Sequence, residues 1–483
     1  MSLLLGIDVG TTATKAVLFD SDSGPVAEAE RPSQLVSRHP GWAEEDTAVW
    51  WQNVSEICRE LAPGRDIRGV GISGMVPCTI LLDERMRPLR WSIQQNDART
   101  SAEVAELQRA LAGRQVLERT GSAITQQSTG PRLLWLARHE PEIWRQTRAI
   151  VGSYDLIASR LTGSLAVESN WALETGLYEF ETGSWANDVI TECGASVHQL
   201  PPIRRPHEIV GTVTSEAAAE TGLAVGTPVV AGSADHIGST FASGVLRQGD
   251  LLIKLGGAGD IMLAVDHPSV DDRLYLDFHL IPGRFVMSGC MATSGSLIRW
   301  FQAQSAPGID LDTLDAEAEA AGPGAGGVVV LPYFLGEKTP IQDPDATGAF
   351  VGLRLDHNRG HLFRAVLEAT AFGFRHHLDV LREHGYQVAR ARVTDGGARS
   401  RVWTSIIADV LGLTLEKVSI RSGSAVAAAY AAGMGVGAFQ DWYDIERFVT
   451  VSEVVEPCAR AVYDTNYSTY RALYPALREV LPR

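Results

Sequence analysis

The stretch Leu3–Asp20, LLLGIDVGTTATKAVLFD, constrains this chain more than any other. Leu3, Leu4, Leu5 and Ile7 make an apolar run that reads as a buried strand, and Ala16–Phe19 reads as a second. Between them, Asp8–Thr12 supplies an acid, a glycine at position 10 and adjacent hydroxyls at Thr11 and Thr12. The spacing predicts a hairpin with a polar tip. Gly10 lets backbone N–H groups approach an oxyanion, the hydroxyls donate to it, and the Asp8 carboxylate can hold a metal or its water shell. An ordinary hairpin with a Gly-Thr turn accounts for the same residues equally well.

A chain of 483 residues exceeds what one hydrophobic core organises, so two large domains are expected. The net charge of −16 argues against broad nucleic-acid binding or an anionic membrane surface, but leaves room for a nucleotide in a local site. Lysine stands only at 15, 254, 338 and 417, so arginine carries most of the positive charge. Cys58, Cys78, Cys193, Cys290 and Cys458 show neither C-x-x-C nor metal-ligand spacing, which fits unpaired thiols in a reducing cytoplasm. Asp8 interrupts the apolar start, so no secretory leader is expected. The run Val328–Leu335 is too short to span a bilayer and contains Pro332.

Along the chain, Val26–Glu30 reads as a third strand. Trp42–Leu61 carries Trp50, Trp51, Val54, Ile57, Cys58 and Leu61 at helical spacing, ending at Pro63-Gly64. Ile67–Ser73 and Thr79–Asp83 return to strand. Gly69, Gly71 and Gly74 match G-x-G-x-x-G, as do Gly322, Gly324 and Gly327; neither opens a clear helix after a strand, so both are assigned to loops and close packing. In Gln94–Thr100, Asn96, Asp97 and Arg99 could bind a polyol, or Asp97 or Thr100 could simply cap the helix beginning near Ser101. Further helices fit Pro131–His139, Tyr154–Leu161 and Ser215–Glu220, and Trp171–Pro206 reads as surface decoration. In PVVAGSAD, Pro228–Ala231 is a short strand, Gly232 and Ser233 break it, and Asp235 opens a helix through Ile237–Ala242. An acid there serves as a plain N-cap or as a rigidly held general base whose ionised form the helix dipole favours.

Asp250–Val265 then echoes the opening hairpin, with Gly256, Gly257 and Gly259 in its turn, and suggests a duplicated fold. Ser294-Gly295-Ser296 opens a helix, Gly326–Pro332 is a buried strand, and Leu335–Asp345 a polar loop. Leu362 to Leu381 marks a long helix stopping at Gly385. VTDGGARS at Val393–Ser400 ends a strand before a helix through Trp403–Leu411, a seat for phosphate or adenosine. The small-residue stretch Ser424–Ala432 would allow close backbone packing, Met434–Gly437 reads as its flexible ending, and a last helix runs roughly Arg460–Leu481.

In this order, the residues resemble the FGGY family of carbohydrate kinases, within the wider actin-like ATPase fold. The likeness covers nearly the whole chain and is most specific at Gly348–Glu368, GAFVGLRLDHNRGHLFRAVLE. It implies an α/β fold of two actin-like (ribonuclease H-like) domains with a cleft between them that closes on the substrates. The first, 1–245, would carry the sugar and the first phosphate hairpin; the second, 246–483, the nucleotide and a C-terminal helix. It implies ATP and Mg²⁺, with Asp8 near the metal and Asp235 as catalytic base. The implied nucleotide contacts are Thr11, Thr12, Lys15, Gly256, Gly257, Gly295, Arg299, Gly396, Gly397 and Arg401. The implied sugar contacts are Val76, Pro77, Asn96, Asp97, Asp235 and His236. The partner is a small sugar or polyol, with no nucleic acid or membrane, and a homodimer is the assembly the likeness allows.

Within the family the chain is most similar to xylulose kinases, through LLWLARHEPEIW at Leu133–Trp144 and through Asn96-Asp97. It departs from them at Val76-Pro77, where they carry a sugar-contacting Met-His pair, and at His236 and Gln95, where they carry Asn and Trp. Gly257-Ala258 replaces Thr-Ser in the second turn, and Arg132 replaces a lysine. D-xylulose is the expected substrate. A kinase for another polyol, ketose or sugar acid is the alternative, and a non-catalytic sugar-binding protein is the alternative of another class.

Overall fold

The computed structural model describes residues 2–459 and 461–480. Its chain divides into unit one, Met1–Gly244 with Leu276–Arg284 and Arg421–Phe448, and unit two, Val245–Tyr275 with Phe285–Ile420 and Val449–Arg483. The sequence reading places 246–483 in one C-terminal domain; in the structure two stretches of it belong to unit one. The reasons are local. One stretch contains a helix of small residues that lies on the first sheet. The other is fastened by Asn170, whose amide accepts from Phe278 N–H at 2.7 Å and donates to Phe278 O at 2.9 Å.

In unit one, β1 (Leu3–Val9), β2 (Ala13–Asp20), β3 (Gly24–Pro32), β4 (Ile67–Gly74), β5 (Ile209–Thr212) and β6 (Pro228–Val230) form a sheet of order β5–β6–β4–β1–β2–β3. The two-residue β7 (Ser233–Ala234) also lies beside β4. β1–β2 and β2–β3 are antiparallel, while β1–β4 and β4–β6 are parallel. The helix Gly423–Gly435 packs on this sheet backbone to backbone. A Cβ on Gly6 would stand 1.8 Å from Ala425 O, and one on Gly71 2.0 Å from Ala428 O. That explains Gly71 of the first G-x-G-x-x-G: it serves helix–sheet packing. The helix runs to Gly435, so Met434 and Gly435 are helical and do not form a loose ending.

The helix read from Trp42 begins at Thr47, because Asp46 accepts from Ala48 N–H at 2.9 Å and Glu44–Glu45 pair with Ser92–Ile93. The segment read as surface decoration is partly core. It opens on the helix Ser169–Glu174, in which Trp171, Ala172 and Leu173 are fully buried. Its short length hides any helical period.

In unit two, β8 (Asp250–Leu255), β9 (Gly259–Val265), β10 (Phe285–Met291), β11 (Arg390–Thr394), β12 (Leu415–Val418) and β13 (Val451–Val455) follow the order β10–β9–β8–β11–β12–β13. β8–β9 and β9–β10 are antiparallel, β8–β11 and β11–β12 parallel. This repeats the β3–β2–β1–β4–β6 pattern of unit one, as the echoed hairpins predict. The long helix spans Arg359–Glu383 and the last helix Ala461–Leu477; the expected ends Arg460 and Leu481 lie outside the described residues. The five cysteines are unpaired. Among the described residues no helix is long and apolar enough to cross a membrane.

Candidate active site

In unit one, β1, β4 and β7 end together. Asp8 lies opposite Ser73 and Val9 opposite Gly74, while Ser233 and Ala234 pair with the same Ser73 and Gly74. The chain therefore leaves Gly10, Met75 and Asp235 at one sheet edge, the carboxyl ends of parallel strands, where open α/β sheets bind ligands.

Asp235 is the first residue of the helix Asp235–Ala242, and the N-cap position is Ala234, which settles the plain-cap alternative. Its Oδ1 accepts from the following backbone N–H at 2.6 Å, and its side chain is 38% exposed. A carboxylate placed so is fixed by the helix, whose N-terminal dipole favours an ionised acid, and is reachable.

His236 stands among acids. Its Nδ1 lies 3.5 Å from Asp235 Oδ1, and its Nε2 lies 3.5 Å from Asp277 Oδ2 and 3.8 Å from Glu174 Oε1. Burial works to lower the imidazole pKa, but Glu174, Asp277 and Asp235 outweigh it and hold His236 well above its ordinary value. Burial pushes the Glu174 carboxyl well up, with His236 opposing. Both ring nitrogens face carboxylates. Glu174 ends a helix held by Glu168, which accepts from Asn170 N–H at 2.9 Å and from the Tyr154 hydroxyl at 2.8 Å. Sequence reasoning missed Glu174 and Asp277; one lies in the supposed decoration, the other a hundred residues on, and neither sits in a local motif.

The loop after β4 is held from beneath. Ser153 Oγ donates to Met75 O at 3.0 Å, Arg132 Nη1 to Pro77 O at 2.7 Å, and Trp171 Nε1 to Cys78 O at 3.0 Å. Arg132 also donates to Gln95 O at 3.1 Å and Gln126 O at 3.3 Å, and burial pushes its guanidinium down to about 10. Val76 and Pro77 are themselves buried. In the next loop Asp97 is fully committed: it accepts from Ala43 N–H at 2.6 Å and from Arg99 Nε at 2.8 Å. Neither Asp97 nor Thr100 caps the following helix through its side chain, while Asn96 is exposed.

At the first turn, Asp8 and Lys15 sit directly opposite across β1–β2, so their side chains share a sheet face. Gly10 N–H donates to Ala13 O at 3.1 Å, and Thr11 Oγ1 approaches Met75 Sδ at 3.6 Å. Among the described residues nothing accepts from the Thr11 and Thr12 amides.

The second turn, in unit two, is docked by its carbonyls. Gly256 O accepts from Gly295 N–H at 2.8 Å, and Gly257 O from Ser294 N–H at 2.9 Å, Ser296 N–H at 3.0 Å and Ser296 Oγ at 2.8 Å. The first amides of the helix Gly295–Ser305 are thus used. The amides of Gly256, Gly257 and Ala258 have no acceptor among the described residues. Arg299 flanks them, its Nη2 3.1 Å from where a Cβ on Gly257 would stand. Amides without an acceptor beside a guanidinium are chemically suited to a phosphate. Past β11, Gly396 is open, whereas a Cβ on Gly397 would meet the Trp403 ring at 2.2 Å. Arg401 is a surface side chain, 85% exposed and 3.7 Å from Glu453.

Known proteins resemble this chain throughout. The model of the FGGY family of carbohydrate kinases, N-terminal domain, matches residues 3–242, and that of its C-terminal domain matches residues 193–436. The xylulose kinase of Bacillus subtilis is 29% identical over 99% of this chain and 98% of its own length. The L-xylulose/3-keto-L-gulonate kinase of Escherichia coli is 30% identical over 98% of this chain and 97% of its own. The crystal structure of xylulose kinase from Rhodospirillum rubrum superposes with a TM-score of 0.94 at 44% identity, covering 99% of both chains.

Proposed function

Because the chain belongs to the FGGY family of carbohydrate kinases, we propose that it transfers the γ-phosphoryl group of ATP to a hydroxyl of D-xylulose, giving D-xylulose 5-phosphate. The observation that carries the reading is the convergence of Asp8, the Met75–Cys78 loop and Asp235 at the ends of β1, β4 and β7. Asp235 takes the hydroxyl proton as that oxygen bonds to the γ-phosphorus and the bond to the ADP oxygen breaks. The Gly256–Ala258 amides and Arg299 receive phosphate oxygens, and the Thr11 and Thr12 amides, with Lys15, form a second such seat. When bound, Mg²⁺ supplies neutralisation of phosphate charge, and Asp8 is the carboxylate that would hold it. Unit one would hold the sugar and unit two the nucleotide, in the reducing cytoplasm that five unpaired thiols suit.

Buried Val76 and Pro77, and the relative that acts on 3-keto-L-gulonate, favour a second reading: a kinase for a related ketose, polyol or sugar acid. An ADP-release assay over ketoses, polyols and sugar acids decides. D-xylulose as best substrate supports the first reading, another sugar the second, and no sugar-stimulated ADP release refutes both.

A further inference from the structure

Three carboxylates surround one imidazole beside the proposed base, and two of them have no part in the phosphoryl transfer described above. The ligand-type atoms of Glu174, His236 and Asp277 all lie within 4.8 Å of one another. Asp277 is almost completely buried, and Glu174 Oε1 is buried with no hydrogen-bond partner. Such carboxylates are tolerated beside a cation and are costly beside a neutral ring. His236, when protonated, would supply that cation. The helix Gly423–Gly435, packed against the His236 helix, contributes one titratable side chain, Tyr430, which donates to Asp441 O. On β4 the nearest charge is Arg68, about 20 Å back along the strand from Gly74 at strand rise per residue. Among the described residues, the charged groups facing the imidazole are therefore Asp235 on its own helix, Glu174 and Asp277.

We propose that Glu174 and Asp277 are positioning residues that keep His236 as an imidazolium beside Asp235. The inference rests on the reading of Asp235 as base. An imidazolium here stands 3.5 Å from Asp235 Oδ1 and 3.5 Å from Asp277 Oδ2, and a positive charge at that distance favours the ionised form of the base. It also orients Asp235, whose Oδ1 lies between the His236 backbone N–H and the ring. The consequence is a sugar site that remains active to low pH and whose histidine does not titrate near neutrality.

The test is the ¹⁵N spectrum of ring-labelled histidine in the intact protein from pH 5 to 9, with His236 identified as the signal missing from His236→Asn. The expected result is both ring nitrogens protonated through pH 8 in the parent. In Glu174→Gln/Asp277→Asn, His236 should titrate at least one pH unit lower, and kcat/KM for the sugar should gain an inflection near neutrality. In His236→Asn, the acidic limb of kcat/KM should rise by about one pH unit or more. A parent His236 that titrates at or below 6.5, or whose titration ignores loss of both acids, overturns the proposal even if D-xylulose is phosphorylated. A raised titration supports it even if the sugar panel selects another substrate.

Discussion

Gly71→Ala measures how closely helix and sheet approach beneath the proposed site. The new Cβ would stand 2.0 Å from Ala428 O and 2.7 Å from Ala428 C, both backbone atoms that cannot rotate aside. Restoring ordinary contact at about 3.4 Å requires the helix Gly423–Gly435 to withdraw by about 1.4 Å, a gap at which the facing atoms lose much of their dispersion energy. Overpacking costs about 1–3 kcal/mol where side chains can adjust; against backbone the cost belongs above that, at about 3–5 kcal/mol. The displaced helix also supports Asp235, because Ser239 Oγ is 3.0 Å from Ser424 Oγ and a Cβ on Gly238 would stand 3.3 Å from Ser424 Cα. Thermal unfolding should fall by about 6 °C or more, at roughly 2–4 °C per kcal/mol, and kcat for the sugar should fall with it. Gly64→Ala is the comparison: nothing lies within 4 Å of its added Cβ, and its φ of +72° leaves only left-handed strain, about 1–2 kcal/mol. A Gly71→Ala protein no less stable than Gly64→Ala would refute the close approach.

Three further outcomes follow from the same geometry. Asp235→Asn should lower kcat by about 10²–10⁴-fold with little change in sugar affinity by calorimetry, since the amide keeps the shape but accepts no proton; near-parental turnover would remove Asp235 as base. Arg132→Met should cost about 3–5 kcal/mol in a melt by orphaning the carbonyls of Pro77, Gln95 and Gln126, and should raise KM for the sugar while leaving KM for ATP unchanged. In unit two, hydrogen bonds from Arg273 outweigh burial and, with His384, hold the Asp271 carboxyl far below its usual range. The stabilisation is present above the unfolded value, about 4, and is lost as pH falls through the depressed one. Asp271→Asn should therefore destabilise at pH 7 and flatten the acid dependence of the melting temperature.

The sheet hairpins, the long helix and Asp235 at a strand-to-helix junction were legible because each is written in consecutive residues: apolar alternation, a glycine turn, an acid before a helical run. The helix Ser169–Glu174 was illegible because six residues hold too little period to separate from a loop. What local motif reading did not carry is the setting of Asp97 and Gly397: the first is ion-paired with Arg99 and the second packs against Trp403.

By itself, the sequence determined the two echoed hairpins with their glycine-bearing turns, the helical run Leu362–Leu381, and the acid at the strand-to-helix junction at 235. Those follow from turn sterics and periodicity, which neighbouring residues set alone. Only the tertiary structure decided that Glu174 and Asp277 meet at His236, that Arg132 braces two loops, and that residues 421–448 return to the first unit. Those depend on which distant surfaces exclude water together, and on buried charge and unpaired carbonyls finding partners wherever the chain brings them.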